Sequence, residues 1–221
     1  MEIKTLILTF ECVNEAKNNS DLLRGYFGRR FKEYVLMHHH IGGSRYIYRY
    51  PLVQYKIVNG ISTVVGIGIG AELLNKIHKE VNTIDLNDNR YEIFEKTIYL
   101  GNGNFRFNTE QQTYSFLTPW LALNEKNYEK YQKLGTWAKK KELLEKILIG
   151  NIISMSKSLG YTVPEPIKAN IGNLKEVPTS LKSTPMLGFL GTFSVNFEIP
   201  DYWGIGKSVS RGFGTIIKLK S

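Results

Sequence analysis

A chain of 221 residues is long enough for one large domain or two small ones, and a 42% hydrophobic fraction supplies cores for either, which excludes a disordered polypeptide. Twenty-nine Lys and Arg against twenty Asp and Glu leave a net charge of +9, so the fitting partner is a polyanion or an anionic membrane surface. Thirteen Tyr and eleven Phe turn that choice toward nucleic acid, whose unpaired bases stack on aromatic rings, although many of these rings must also serve the core.

A single cysteine, Cys12, cannot close an internal disulfide, and no charged-then-apolar leader opens the chain, so a cytoplasmic location is expected. The longest uncharged runs, 57–71 and 183–197, are broken by glycine and fall short of the ~20 residues a bilayer requires; no membrane partner is expected.

Ile3 to Cys12 alternates as a strand does. Leu22, Leu23, Phe27, Phe31 and Tyr34 then fall at helical spacing behind a cap at Ser20 or Asp21. The same helix carries Arg24, Arg29, Arg30 and Lys32, which make either a basic face toward RNA or an ordinary solvated face. His38, His39 and His40 follow. Tyr46 to Gly60 reads as a strand and Ile61 to Ile69 as its hairpin partner about an Asn59-Gly60 turn. A short helix over Glu72 to Val81 and a strand over Tyr91 to Leu100 complete the order β-α-β-β-α-β, which is the ferredoxin-like unit. Asn102-Gly103-Asn104 marks a boundary, giving domains 1–103 and 104–221.

The second half reads as another α-plus-β unit. Its elements are a strand over Phe105 to Phe116 and, led in by Pro119-Trp120, a helical stretch over Asn124 to Leu159 that Gly135 and Gly150 bend or split. A hairpin over Ile167 to Val177, a long strand over Met186 to Ile199 and a short terminal strand from Thr215 follow. No tandem repeat or low-complexity linker interrupts the chain.

Between the last two strands lies Gly204-Ile-Gly206-Lys207-Ser208-Val-Ser210-Arg211-Gly212-Phe-Gly214. Two Gly-x-Gly pairs bracket a basic, hydroxyl-rich segment, in which backbone N–H groups, Lys207, Ser208, Ser210 and Arg211 can close around a phosphate. A nucleotide P-loop is excluded, because Asp201 occupies the position of its first glycine; a dinucleotide fingerprint is excluded by Val209. The competing reading is a turn whose glycines serve only the fold. A second glycine run, Gly66-Ile-Gly68-Ile-Gly70-Ala71, formally satisfies the dinucleotide pattern, but the acidic residue expected after the next strand is missing.

Consecutive histidines cannot all face one metal ion, and no zinc-type ligand spacing accompanies them. In an extended segment His38 and His40 point to one side, where two imidazoles titrating near ~6.5 can serve as base and acid for attack of a ribose 2′-hydroxyl on its own phosphate.

The glycine-rich segment near the C-terminus, together with Leu23-Arg24-Gly25-Tyr26-Phe27, His38-His39-His40, Arg49-Tyr-Pro-Leu-Val-Gln-Tyr-Lys56 and Thr184-Pro-Met-Leu-Gly188, resembles the CRISPR repeat-cleaving endoribonucleases. These are the sixth Cas family, within the repeat-associated mysterious protein superfamily. The resemblance spans almost the whole chain. It implies an α+β fold of two tandem ferredoxin-like (RRM-like) domains and a metal-independent, cofactor-free endoribonuclease that cuts precursor RNA within each repeat. It also implies a catalytic histidine after the first helix and a catalytic tyrosine on that helix, a position that Tyr26 matches. Arg45, Arg49 and Lys56 are then the nearest cations, able to steady the reaction's charge or to grip phosphate. CRISPR repeat RNA, single-stranded or as a hairpin, is the implied partner; a homodimer and association with a CRISPR effector complex remain open. The alternatives are a guide-RNA-binding protein of the same fold without catalysis and a dinucleotide-dependent enzyme.

Overall fold

The computed structural model describes residues 1–12, 19–37, 40–41, 45–46, 49–86 and 89–220, with residues 40, 41, 45, 46 and 86 described by their backbone alone. Two compact units result. One comprises Glu2–Gly103 together with Val209–Gly212, and the other comprises Met1, Asn104–Ser208 and the chain from Phe213 on.

The first unit contains, in order, β1 (Glu2–Cys12), α1 (Ser20–Arg30), β2 (His40–Ile41), β3 (Arg45–Tyr46), β4 (Val53–Val58), β5 (Ile61–Ile67), α2 (Ile69–Ile77), β6 (Thr83–Leu86) and β7 (Asn89–Asn104). Its sheet runs β4-β5-β1-β7-β6, and β2 and β3 form a separate two-stranded pair. Without the short β2, β3 and β6, a β-α-β-β-α-β chain forms a sheet in the order β4-β5-β1-β7, the ferredoxin-like arrangement. The hairpin turn falls at Asn59-Gly60, both left-handed at φ 51° and 81°, a geometry that asparagine and glycine adopt at least cost.

Helix α1 starts behind Asn19, whose side chain accepts from the Asp21 N–H at 2.8 Å, one residue before the expected cap. It buries Leu23, Tyr26 and Phe27, and the Phe27 ring lies 5.5–5.9 Å from Phe10, Phe31 and Tyr55. This aromatic cluster fills the space between α1 and the sheet. The strand expected to reach Ile69 ends at Ile67, and the helix expected at Glu72 already begins at Ile69. Gly68, left-handed at φ 56°, breaks the strand between them. A Cβ on Gly70 would stand 2.1 Å from the Leu52 carbonyl oxygen, so this second glycine run lets α2 close onto the chain entering β4. It also follows a strand of an antiparallel sheet, whereas a dinucleotide fingerprint requires a parallel one.

The second unit contains β8 (Arg106–Trp120), α3 (Glu125–Lys133), α4 (Trp137–Leu159), β9 (Ala169–Leu181), β10 (Thr184–Glu198) and β11 (Ile216–Lys218). Its sheet order, β11-β8-β10-β9, is again ferredoxin-like, with the helical pair α3–α4 as the first crossover. The glycine-rich segment occupies the connection where a second helix would stand. The fold is therefore α+β, with two tandem ferredoxin-like units.

Three local expectations are corrected. Pro119 and Trp120 end β8 rather than lead into a helix. The helical stretch breaks at residues 134–136, where Thr136 caps α4, while Gly150 lies inside the continuous α4, facing open space, and does not split it. Residues 167–177 do not form a hairpin of their own: β9 pairs with β10 through a turn at Lys182-Ser183, both left-handed. Trp120 and Phe116 stack at 5.3 Å in the core of this unit, with Tyr114 and Phe193 beside them. Among the described residues no helix is long and apolar enough to cross a membrane.

Candidate active site and nucleic-acid interface

The glycine-rich segment is built around its own backbone. Gly204 bridges Thr215, the Ile205 N–H donates to the Gly214 carbonyl at 2.9 Å, and the Gly214 N–H donates to the Pro119 carbonyl at 2.9 Å. Trp203 and Ile205 are fully buried beneath this ladder. A Cβ on Gly206, at φ 95°, would stand 2.5 Å from the Trp120 indole nitrogen, and one on Gly214 would stand 2.0 Å from the Ile205 carbonyl oxygen. These two glycines are thus required by the protein itself.

The N–H groups of Ile205, Lys207, Gly212 and Gly214 all donate to carbonyls of the chain, so they do not converge on an outside anion. Lys207 is exposed, and Ser208 and Ser210 are half-buried, Ser208 in the left-handed region at φ 59°.

Arg211 is placed differently. The turn Val209–Gly212 belongs to the first unit, packed at the start of α1 and against β4. There the Arg211 guanidinium donates to the Asp21 carboxylate and the Ser20 hydroxyl donates to the Arg211 carbonyl at 2.6 Å. A Cβ on Gly212, at φ 86°, would lie 3.0 Å from the Tyr55 carbonyl oxygen and 3.2 Å from Ser20. The loop therefore separates one exposed cation, Lys207, from one clamped cation, Arg211. The sequence marks Ser20 and Asp21 only as helix-start residues, and no local signal marks them as partners of a segment 190 residues away.

His38 and His39 lie outside the described residues, as do the side chains of His40 and Arg45; the backbone sets His40 in β2 opposite Tyr46. The approach to this segment is well defined. Tyr55 on β4 donates its hydroxyl to the carbonyl of Met37 at 3.0 Å, and the fully buried Met37 closes a 3-10 turn over Val35–Met37. Burial pushes the Tyr55 phenol far above its ordinary range, keeping it a donor. Tyr55 thus fixes the residue immediately before His38, a role the sequence did not mark.

Of the remaining candidates, Tyr26 is only 4% exposed, and its hydroxyl donates to the Thr83 carbonyl at 2.6 Å. This hydroxyl ties α1 to β6, and burial raises its pKa. Arg49 is exposed. Lys56, 0% exposed in the middle of β4, offers no surface charge to a phosphate in this conformation, and desolvation pulls its pKa down to about 7. Among the described residues no three His, Cys, Asp or Glu side chains converge as a metal site would require.

Residues 1–103 match the model of the Cas6b N-terminal domain, and residues 106–219 match that of the Cas6b C-terminal domain. The chain belongs to the Cas6b family. It is similar to a crystal structure of Cas6b, with 37% identity, 99% of this chain and 100% of that one covered, and a TM-score of 0.91. It is also similar to a crystal structure of the CRISPR RNA processing endoribonuclease Cas6b, with 36% identity, coverage of 99% and 100%, and a TM-score of 0.79. Uncharacterized protein MJ0978 of Methanocaldococcus jannaschii is 52% identical over 107 residues, 48% of this chain and 72% of that protein. The type IV Cas6 crRNA endonuclease Csf5 shares the fold at 10% identity and a TM-score of 0.55, with 100% of both chains covered. The residues matched to the Cas6b N-terminal domain include the histidine run, and those matched to the C-terminal domain include the glycine-rich segment, of which Val209–Gly212 pack with the first unit.

Proposed function

We propose that this Cas6b-family endoribonuclease cleaves CRISPR precursor RNA within its repeats, without a metal ion, by attack of a ribose 2′-hydroxyl on the adjacent phosphodiester. The observation that carries this reading is the similarity, over 99% of the chain, to a CRISPR RNA processing endoribonuclease of the same family. The new bond joins the 2′-oxygen to phosphorus and the P–O5′ bond breaks, leaving a 2′,3′-cyclic phosphate and a 5′-hydroxyl. One of His38 and His40 takes the 2′-hydroxyl proton while the other protonates the leaving 5′-oxygen, each contributing about 10²–10⁴-fold. Arg45 and Arg49 supply charge to the phosphorane, and Lys207, Ser208 and Ser210 hold the RNA backbone. The N-terminal domain, 1–103, carries the chemistry, and the C-terminal domain, 104–221, carries the backbone grip.

Incubation of the purified protein with repeat RNA in EDTA tests this reading. Cleavage to a cyclic phosphate, blocked by a single 2′-deoxynucleotide 5′ to the scissile phosphate, is the expected result. Binding without cleavage would leave a guide-RNA-binding protein, and activity abolished by EDTA but restored by zinc or manganese would replace the mechanism with a metal-activated water.

A further inference from the structure

A pocket of about 860 Å³ opens within the second unit, where the end of the β9–β10 hairpin meets the start of α3. That volume falls in the range of sites that enclose organic ligands, about 300–1,000 Å³. Its apolar walls are Leu123, Pro178, Met186 and Leu187, and beside them stands Tyr128 of α3, 46% exposed. A large ring left in water at the wall of an apolar pocket is a stacking surface.

The charges at the rim select the occupant. Glu176 is already engaged, accepting from the Tyr131 hydroxyl at 2.7 Å and lying 3.5 Å from the Lys140 ammonium. Besides Glu176 the lining carries one carboxylate, Glu125, and two cations, Lys182 at the hairpin turn and Lys207. Lys207 belongs to the glycine-rich segment, and its N–H is fixed to the Leu121 carbonyl at 3.3 Å. The wall of this pocket is therefore continuous with the element assigned above to the RNA backbone. Asn124 lines the pocket too; its side-chain oxygen caps α3 by accepting from the Asn127 N–H at 2.8 Å, which leaves its amide to donate to a ligand.

We propose that this pocket is a base-specificity site that takes one unpaired nucleotide of the substrate RNA. The base stacks on Tyr128, its edge meets Asn124 and Glu125, and Lys182 and Lys207 hold the flanking phosphates. This assignment rests on the RNA-processing reading and deepens it: the histidines cut, and the pocket sets which repeat is cut, and in what register. An unstructured or loop nucleotide is required, because a base inside a duplex cannot reach an aromatic platform.

The test is an abasic scan. Repeat RNAs, each lacking one base, are titrated against the intact protein and against Tyr128→Ala and Met186→Trp, with melting temperature followed for each variant. The wild type should show one position, away from the scissile bond, where loss of the base weakens Kd by about tenfold. Tyr128→Ala should weaken the intact repeat by about the same factor and abolish the penalty at that position alone. Met186→Trp, which sets a bulkier side chain into the wall of the pocket, should do likewise. Should both variants keep the wild-type abasic profile while cleavage persists, the pocket assignment is overturned and the processing reading stands. Should they alter the oligomeric state and not the profile, the pocket is a protein interface and the assignment is equally overturned. Failure of the wild type to bind any repeat RNA would overturn the processing reading, and the pocket assignment with it.

Discussion

Arg211, in the glycine-rich segment, is ion-paired with Asp21 in the first turn of α1, 190 residues earlier in the chain. Asp21 is well placed for this, because the positive end of a helix dipole already favours a carboxylate there. The two side chains are 20% and 34% exposed, so water screens their attraction, and the pair is worth about 1 kcal/mol. Asp21→Ala and Arg211→Ala should each lower the melting temperature by a few degrees. A double-mutant cycle should return a coupling of about that size, and zero coupling would show the pair to be idle.

The exposed cation of the same segment should behave in the opposite way. Lys207→Ala should leave the melting temperature unchanged but weaken RNA binding across sequences and reduce the salt slope by ~0.7, the share of one phosphate on a single strand. Arg211→Ala should change that slope less than Lys207→Ala does, since its guanidinium is committed to Asp21. Unaltered RNA affinity and slope in the Lys207 variant would sink the phosphate-gripping role of the segment.

Gly206→Val should cost more stability than either charge removal. The added Cβ would stand 2.5 Å from the Trp120 indole nitrogen, and a β-branched residue strongly disfavours the φ of 95°. A loss of about 3 kcal/mol or more is expected from chemical denaturation, by overpacking and backbone strain together. A Gly206→Val protein that melts with the wild type but fails to bind RNA would instead put the glycine at a ligand surface.

Much of this architecture was legible because local patterns and the fold agree. The alternation of β1, the Asn59-Gly60 turn and the 3.6-residue spacing of Leu23 and Phe27 all point to the ferredoxin-like order that forms. Where expectation and structure part, a local rule had no access to the deciding contact. Ile67 and Ile69 alternate across Gly68 as a strand would, and only the left-handed Gly68 backbone turns them into a strand end and a helix start. Tyr55 and Lys56 are both buried, so β4 lacks the wet face by which a lysine would be read as a surface cation. The grip of Tyr55 on Met37, like that of Asp21 on Arg211, joins residues whose spacing carries no periodic signal.

His38→Ala and His40→Ala should each slow single-turnover cleavage by at least about 10²-fold with RNA affinity held within a few-fold, because proton transfer acts in the transition state. His39→Ala should be milder. Tyr55→Phe, which removes the hydroxyl that fixes Met37, should lower the cleavage rate more than it weakens binding. Near wild-type rates in both the His38 and His40 variants would remove the chemistry from this run, and a critical His39 alone would mean that the segment is not extended there.

Lys56 supplies a pH signature that needs no RNA. Burial lowers its pKa from the ordinary 10.5 to about 7 in the folded protein, so between those values the unfolded chain holds a proton that the folded chain has released. Unfolding then takes up protons, and stability from this group rises with pH across that window, by at most about 1.4 kcal/mol per pH unit. Below about 7 both states are protonated, and the contribution of this group no longer changes with pH. Lys56→Met keeps the length of the side chain and removes the titration. Chemical denaturation of both proteins from pH 6 to pH 10 should therefore show the difference in stability between variant and wild type shrinking as pH rises, with the variant favoured most at the acid end. A difference that stays constant across the range would mean that Lys56 keeps its ordinary pKa in the folded protein, and a difference that grows with pH would reverse the sign of the linkage argued here.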